Sequence, residues 1–126
     1  MIENLLDTVI LIDHFNGIKK ATRFLSGLDP NKTAISVITR AELLVGFEKD
    51  DVRLKAQTLI DQFTLLPVDK EAADKAAELR PKYRWKLPDA FLAAIALNHG
   101  RKLITRNTKD FNPQNHPFVI IPYELP

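Results

Sequence analysis

The sequence predicts an α/β fold in which helices cover both faces of a mostly parallel central sheet, and three observations predict it. Short apolar runs of strand length alternate with longer segments of helical periodicity, the order that βαβ units produce. Acidic or amide side chains follow directly on two of those runs, Asp7 after Leu5-Leu6 and the stretch Arg106 to Asp110 after Leu103-Ile104-Thr105. In open α/β sheets that address, just beyond the carboxyl ends of the strands, is where ligands bind. Finally, Ala90 to Leu97 is apolar nearly all round, so a helix there must be buried.

A chain of 126 residues is expected to form one domain, residues 1–126, large enough for a real core and too small for two. The absence of cysteine excludes disulfides and thiolate-bound zinc. No apolar run approaches the ~20 residues that cross a bilayer, and the amino terminus carries Glu3 and Asp7 where a signal peptide would be basic. A cytoplasmic protein is the expectation. A net charge of +2 does not announce a nucleic-acid binder by its overall field, because phosphate contact needs a local basic patch.

Ile2, Leu5 and Leu6 read as a first strand, and Thr8 to Phe15 as a helix turning back over it. Asp7 between them suits a helix cap as well as a ligand site. Asn16-Gly17 breaks the pattern; Ala21, Phe24, Leu25 and Leu28 then mark a second helix ending at Asp29-Pro30-Asn31. Thr33 to Ile35 reads as the second strand, and Ser36 caps a helix from Val37 to about Phe47. That helix carries Glu42 among Ala41, Leu43 and Leu44, either on a solvent stripe paired with Arg40 or facing a partner elsewhere. Val52, Ala56, Leu59, Ile60 and Phe63 define a fourth helix.

Leu65 to Val68 reads as a strand, placed at an edge or a strand end by Pro67. Asp69 then opens a helix whose inner face is alanine: Ala72, Ala73, Ala76 and Ala77. Pro81 is expected to stop it, leaving Arg80 to Lys86 as a loop. Within that loop Lys82, Arg84, Trp85 and Lys86 are candidates for RNA contact, since basic groups interleaved with aromatics suit phosphates and stacked bases. The alternative is a solvated loop with its aromatics folded onto the core. Pro88 suits the first turn of the buried helix, which places Asp89 there too, where the macrodipole favours a carboxylate. Gly100 closes that helix, Lys102 to Thr105 forms a strand, and Phe118 to Ile121 the last one.

In such a topology Asp7 and the Asn107 to Asp110 loop lie at strand ends on one edge. Glu42 and Asp89 are expected near helix starts on the same edge. Four converging carboxylates raise one another's pKa and call for a cation. Oxygen ligands without cysteine or a useful histidine pair point to Mg²⁺ or Mn²⁺.

The segments LLDTVILID, ISVITRAELLVGF, LPDAFLAAIAL and LITRNTKDF, in this order and spacing, resemble the PIN-domain ribonucleases, most closely the VapC-type toxins of bacterial and archaeal toxin–antitoxin pairs. The resemblance spans essentially the whole chain. It implies a three-layer PIN-like fold and a Mg²⁺- or Mn²⁺-dependent endoribonuclease, usually dimeric, that cuts RNA phosphodiesters and is neutralised by a small cognate antitoxin. By position, Asp7, Glu42, Asp89 and Asp110 match the acidic, metal-holding set, and Thr8, Thr105 and Asn107 its supporting positions. Family members differ in whether the last acid falls at the Asn107 or the Asp110 position; here only Asp110 is acidic. Two other functions compete. A non-catalytic PIN-like binding domain would have no need of the four acids, and a Mg²⁺-binding phosphoacceptor receiver domain would rely on Asp69 as its phosphorylated residue.

Overall fold

The computed structural model describes all residues from Met1 to Pro126. Five parallel strands form one sheet in the order β3-β2-β1-β4-β5: β1 (Asn4–Leu6), β2 (Thr33–Ser36), β3 (Thr64–Leu66), β4 (Lys102–Ile104) and β5 (Val119–Ile120). Between them run α1 (Thr8–Phe15), α2 (Lys19–Ser26), α3 (Val37–Val45), α4 (Asp50–Ile60), α5 (Lys70–Tyr83) and α6 (Leu87–Asn98). In register, Leu5 lies opposite both Ala34 and Leu103, which makes β1 the centre of the sheet.

Side chains alternate across a strand, so consecutive apolar residues serve opposite faces. Leu5, Ala34 and Leu103 pack into one core with α5 and α6, while Leu6, Ile35 and Ile104 pack into another with α1, α3 and α4. The result is the three-layer arrangement the sequence predicts. On the first face, Ala72 and Ala76 of α5 and Ala90, Ala93 and Ala94 of α6 are all buried, so these helices approach closely over small side chains. Strand β3 lies at the sheet's edge, where the donorless Pro67 that follows it interrupts no ladder.

The strand order has a functional corollary. The chain leaves β1 toward β2 on one side and returns to β4 on the other, so the topological switch point lies between β1 and β4. There the Asp7 amide donates to the Ile104 carbonyl at 2.9 Å and brings the two strand ends together. Ligands bind at such a crevice because the loops on its two sides diverge.

One expected boundary is corrected. Pro81 does not end α5, which continues to Tyr83 and stops at Arg84 in the left-handed region at φ 57°. A proline in the last turn removes one hydrogen bond and leaves the preceding turns intact, so it costs less there than in mid-helix. Of the expected loop from Arg80, only Arg84, Trp85 and Lys86 lie outside helices. Gly100, at φ +65°, is the left-handed residue that follows α6, as expected.

Candidate functional site

A cleft of about 750 Å³ opens at the switch point and is lined by Asp7, Glu42 and Asp89 together with Thr8, Asn107 and Arg106. Asp7 reaches it because β1 ends one residue earlier, and the backbone at Asp7 is extended while α1 begins at Thr8. Asp7 occupies the capping position but its carboxylate closes no capping hydrogen bond. Instead Oδ2 accepts from the Thr105 hydroxyl at 2.7 Å, across 98 residues of chain. Asp7 is buried at 7% exposure. Burial pushes its carboxyl above the ordinary range and Glu42 adds to the rise, while the Thr105 hydroxyl and the first amides of α1 pull the other way.

Glu42 lies six residues into α3 and is exposed, not near the helix start as expected. Its orientation comes from α1: the Thr8 hydroxyl donates to Glu42 Oε1 at 2.8 Å. Thr8 in turn lies 3.0 Å from the Thr39 hydroxyl, and the Thr39 amide donates to the N-capping Ser36 oxygen. Ser36, Thr39 and Glu42 thus recur every three residues, one face of α3. Thr39 was not legible as a site residue, although that spacing carries the signal. Arg40, the alternative partner for Glu42, pairs with Asp61 at 2.7 Å.

Asp89 projects from the first turn of α6 and is half-buried. Its carboxyl is pushed up to about 6, first by burial and then by the charges of Asp7, Asp110 and Glu42, with Lys86 opposing. All three other acids therefore act on this one carboxyl. Asp110 does not line the cleft wall. It closes a small loop with Asn107, whose Nδ2 donates to Asp110 Oδ2 at 3.0 Å while the Asp110 amide donates back to Asn107 Oδ1 at 3.3 Å. The Asn107 amide donates to the Thr105 hydroxyl oxygen, so Thr105 links the Asp7 carboxylate to the Asn107–Asp110 loop.

Trp85 takes the second of its two expected places, folded onto the core. It is buried at 3% exposure, donates from Nε1 to the Asp110 carbonyl at 2.9 Å and packs on Phe111. A ring so enclosed offers no face to a base, and its contacts make it a strut for the Asp110 loop. Lys82, Arg84 and Lys86 are exposed, with Lys82 Nζ 5.2 Å from the centre of the Tyr83 ring.

Three metal-ligand types also converge outside the cleft. Asp69, Glu71 and His99 hold ligand atoms within 4.8 Å of one another, all exposed. His99 stands ten residues after Asp89 at the opposite end of α6, about 15 Å along the helix. Asp69, the acid a receiver domain would phosphorylate, caps α5 by accepting from the Ala72 amide at 2.8 Å.

A family model described as PIN domain matches residues 5–112. The chain belongs to the PIN-domain family. No curated protein matches this PIN domain. Among solved structures it is similar to a chain of a toxin–antitoxin complex from Klebsiella pneumoniae, with 39% identity over 98% of this chain and 100% of that one and a TM-score of 0.88. FitAcB from Neisseria gonorrhoeae follows at 24% identity, covering 97% and 99% of the two chains with a TM-score of 0.81. DNA-bound VapBC from Salmonella typhimurium shares 24% identity over 98% of each chain, with a TM-score of 0.80. The last two likenesses establish the fold of the PIN domain, a five-stranded parallel sheet between helical layers.

Proposed function

We propose that this PIN domain is a divalent-metal-dependent endoribonuclease and the toxin of a toxin–antitoxin pair. The observation that carries the reading is the convergence of Asp7, Glu42 and Asp89 on one cleft at the sheet's switch point, close enough, with Asp110, to push the Asp89 carboxyl up to about 6. The fit to a metal rests on that donor set. Its groups are all oxygen, suited to Mg²⁺ or Mn²⁺, and their mutual repulsion is the feature a cation relieves.

In this reading Asp7 and Asp89 hold the metal directly, Glu42 holds it directly or through water, and Asp110 completes a second, weaker position. When bound, the metal supplies a Lewis acid that acidifies water and neutralises charge on a phosphodiester. The chain's own contribution is orientation. Thr105 fixes the rotamer of Asp7, Thr8 that of Glu42 and Asn107 that of Asp110, each by one hydrogen bond. The cleft lining holds neither cysteine nor histidine, and the Thr8 hydroxyl is engaged with Glu42, so this reading assigns the attack to water.

The partner half of the proposal is supported by the 39% identity to a chain of the Klebsiella toxin–antitoxin complex. Val45 is 81% exposed and lines the cleft beside Ile12, with Val37 exposed on the same helix, α3. These side chains give an apolar segment of an antitoxin somewhere to dock next to the acids. Leu11, beside Ile12 on α1, is fully buried in the core and takes no part in that surface.

The test is incubation of the purified protein with structured RNAs in Mg²⁺, in Mn²⁺ and in chelator, beside Asp7→Asn. Cleavage in metal, lost in chelator and in the variant, is expected. Undiminished cleavage by Asp7→Asn, or cleavage that survives chelation, would overturn the reading.

A further inference from the structure

The cleft has an electrostatic problem that the acids create and metal only partly solves. Asp7, Glu42 and Asp89 line it, and the substrate in the proposed function is itself a polyanion. Only two cationic side chains share that lining, Arg106 and Lys109. Lys109 is exposed on the loop, whereas Arg106 is held. Its Nε and Nη2 donate to the two oxygens of Asp13 at 2.6 and 2.8 Å, a bidentate fork across 93 residues. Asp13 is 5% exposed, and its Oδ2 accepts a further hydrogen bond from the Tyr123 hydroxyl at 2.8 Å.

The arrangement has a direction. The Asp13 side chain is 7% exposed and the Arg106 side chain 30%, so the carboxylate lies behind and the guanidinium in front. A guanidinium has five N–H donors. Asp13 takes two, which leaves three for other acceptors, at a residue that lines both this cleft and a smaller one beside Tyr123. Such an ion pair is weak evidence for a stabilising role, because desolvation offsets most of its Coulomb gain. What it does achieve is to hold a planar donor group in one orientation at the cleft, the geometry suited to phosphate oxygens. Arg106 also follows immediately on Thr105, the residue bonded to Asp7, so the guanidinium is placed by the same loop that orients the acids.

We propose that Arg106 is a phosphate-binding residue of the cleft, contacting an RNA backbone phosphate beside the acidic site, with Asp13 and Tyr123 as its positioning residues. The inference rests on the nuclease reading and adds to it a residue that touches substrate. Asp13 offsets much of the Arg106 charge, but a fixed guanidinium supplies oriented N–H donors to a phosphate whether or not metal is bound. It also selects a register, because a phosphate seated there sets which neighbouring phosphate faces the acids.

The experiment measures binding of a single-stranded RNA oligonucleotide over a range of KCl in chelator, and steady-state cleavage in Mn²⁺, for wild type, Arg106→Gln, Arg106→Lys and Tyr123→Phe. Loss of one phosphate contact from single-stranded RNA reduces the slope of log affinity against log salt by about 0.7. Arg106→Gln is expected to show that reduction and a KM raised about tenfold, with kcat changed far less. Arg106→Lys keeps the charge and so the slope, but loses the fork and raises KM. Tyr123→Phe also keeps the slope and raises KM by a smaller factor. An Arg106→Gln variant with the wild-type slope and KM overturns the proposal, as does one that loses only kcat or only melting temperature. Should Arg106→Gln fail to fold, Arg106→Lys decides, and an unchanged KM in that variant overturns it. Wild-type protein that neither binds nor cleaves RNA in any metal would bring down the nuclease reading and this contact with it. Metal-dependent cleavage with an unaltered Arg106→Gln leaves the nuclease standing and removes only the arginine.

Discussion

Asp89 ionises at about 6, against an ordinary 3.8, and the sign of its effect on stability follows from that. Between those two values the native protein binds the proton and the unfolded chain does not, so stability falls as pH rises through the window. Above about 6 the burial and repulsion are fully expressed. Asp7 is shifted in the same direction. In chelator, melting temperature should therefore be higher near pH 5 than near pH 7, and Asp89→Asn should raise it at neutral pH while flattening the profile. A variant that melts lower than wild type in chelator would mark Asp89 as a helix-terminus residue. Mn²⁺ competes with protons for the same oxygens, so its stabilisation should grow as pH rises through about 6. Asp13 behaves oppositely. Burial raises its carboxyl, but hydrogen bonds from Arg106 and Tyr123 and the Arg106 charge outweigh that and hold it below the ordinary range. Its contribution is present above about 3.8 and is lost as pH falls through the lower folded value. Tyr123→Phe should thus cost about 1.5 kcal/mol at neutral pH and less in acid, read by urea unfolding at several pH values.

At the scale of elements, the fourth acid depends on a residue from another segment. Trp85 stands two residues before α6, which carries Asp89, and its indole N–H holds the Asp110 carbonyl. The ring is packed against Phe111 at 4.9 Å and His116 at 5.1 Å, so it couples the start of α6 to the loop after β4. Trp85→Phe keeps most of the packing and removes the donor. It should cost about 1 kcal/mol of stability and weaken Mn²⁺ binding, measured by calorimetry, out of proportion to that loss. Equal Mn²⁺ affinity in the variant would show that the loop holds itself through Asn107 alone. The same residue shows where sequence reasoning runs out. Strand and helix order was legible because β1, β2 and β4 place consecutive apolar residues on opposite faces, and because Ser36, Asp69 and Gly100 carry their capping chemistry locally. Burial of Trp85 was legible only as one of two alternatives, since apart from the stacked Tyr83 its partners lie 25 to 31 residues away and its neighbours Arg84 and Lys86 are charged. The Asp13–Arg106 fork was illegible for the same reason, as no local spacing encodes a pair 93 residues apart. Thr105 and Asn107 could be named from position but their bonds to Asp7 and Asp110 could not.

Across the whole molecule, charge is distributed unevenly. The chain carries a net +2, yet Asp7, Glu42 and Asp89 face one cleft at the switch point and Asp110 acts on Asp89 from the adjacent loop. Carboxylates that raise one another's pKa are stabilised by any cation, so an inhibitor needs only an Arg or Lys presented there to compete with metal. The apolar side chains of Val45 and Ile12 at the cleft wall, with Val37 exposed elsewhere on α3, provide affinity that charge alone lacks in physiological salt. An antitoxin segment with one basic residue flanked by apolar ones fits both demands. The expected outcome is that a small protein encoded beside this chain co-purifies with it and suppresses its ribonuclease activity. Excess Mn²⁺ should partly relieve that suppression, because the metal and the basic residue compete for the same oxygens. Val45→Ser removes apolar contact and adds no charge to the cleft, so it should weaken the complex far more than it changes cleavage by the free enzyme. Changing every Arg and Lys in the antitoxin's tail to Gln separates the two contributions. If inhibition then persists in full and remains insensitive to Mn²⁺, the antitoxin acts by covering the cleft and the acids play no part in its recognition.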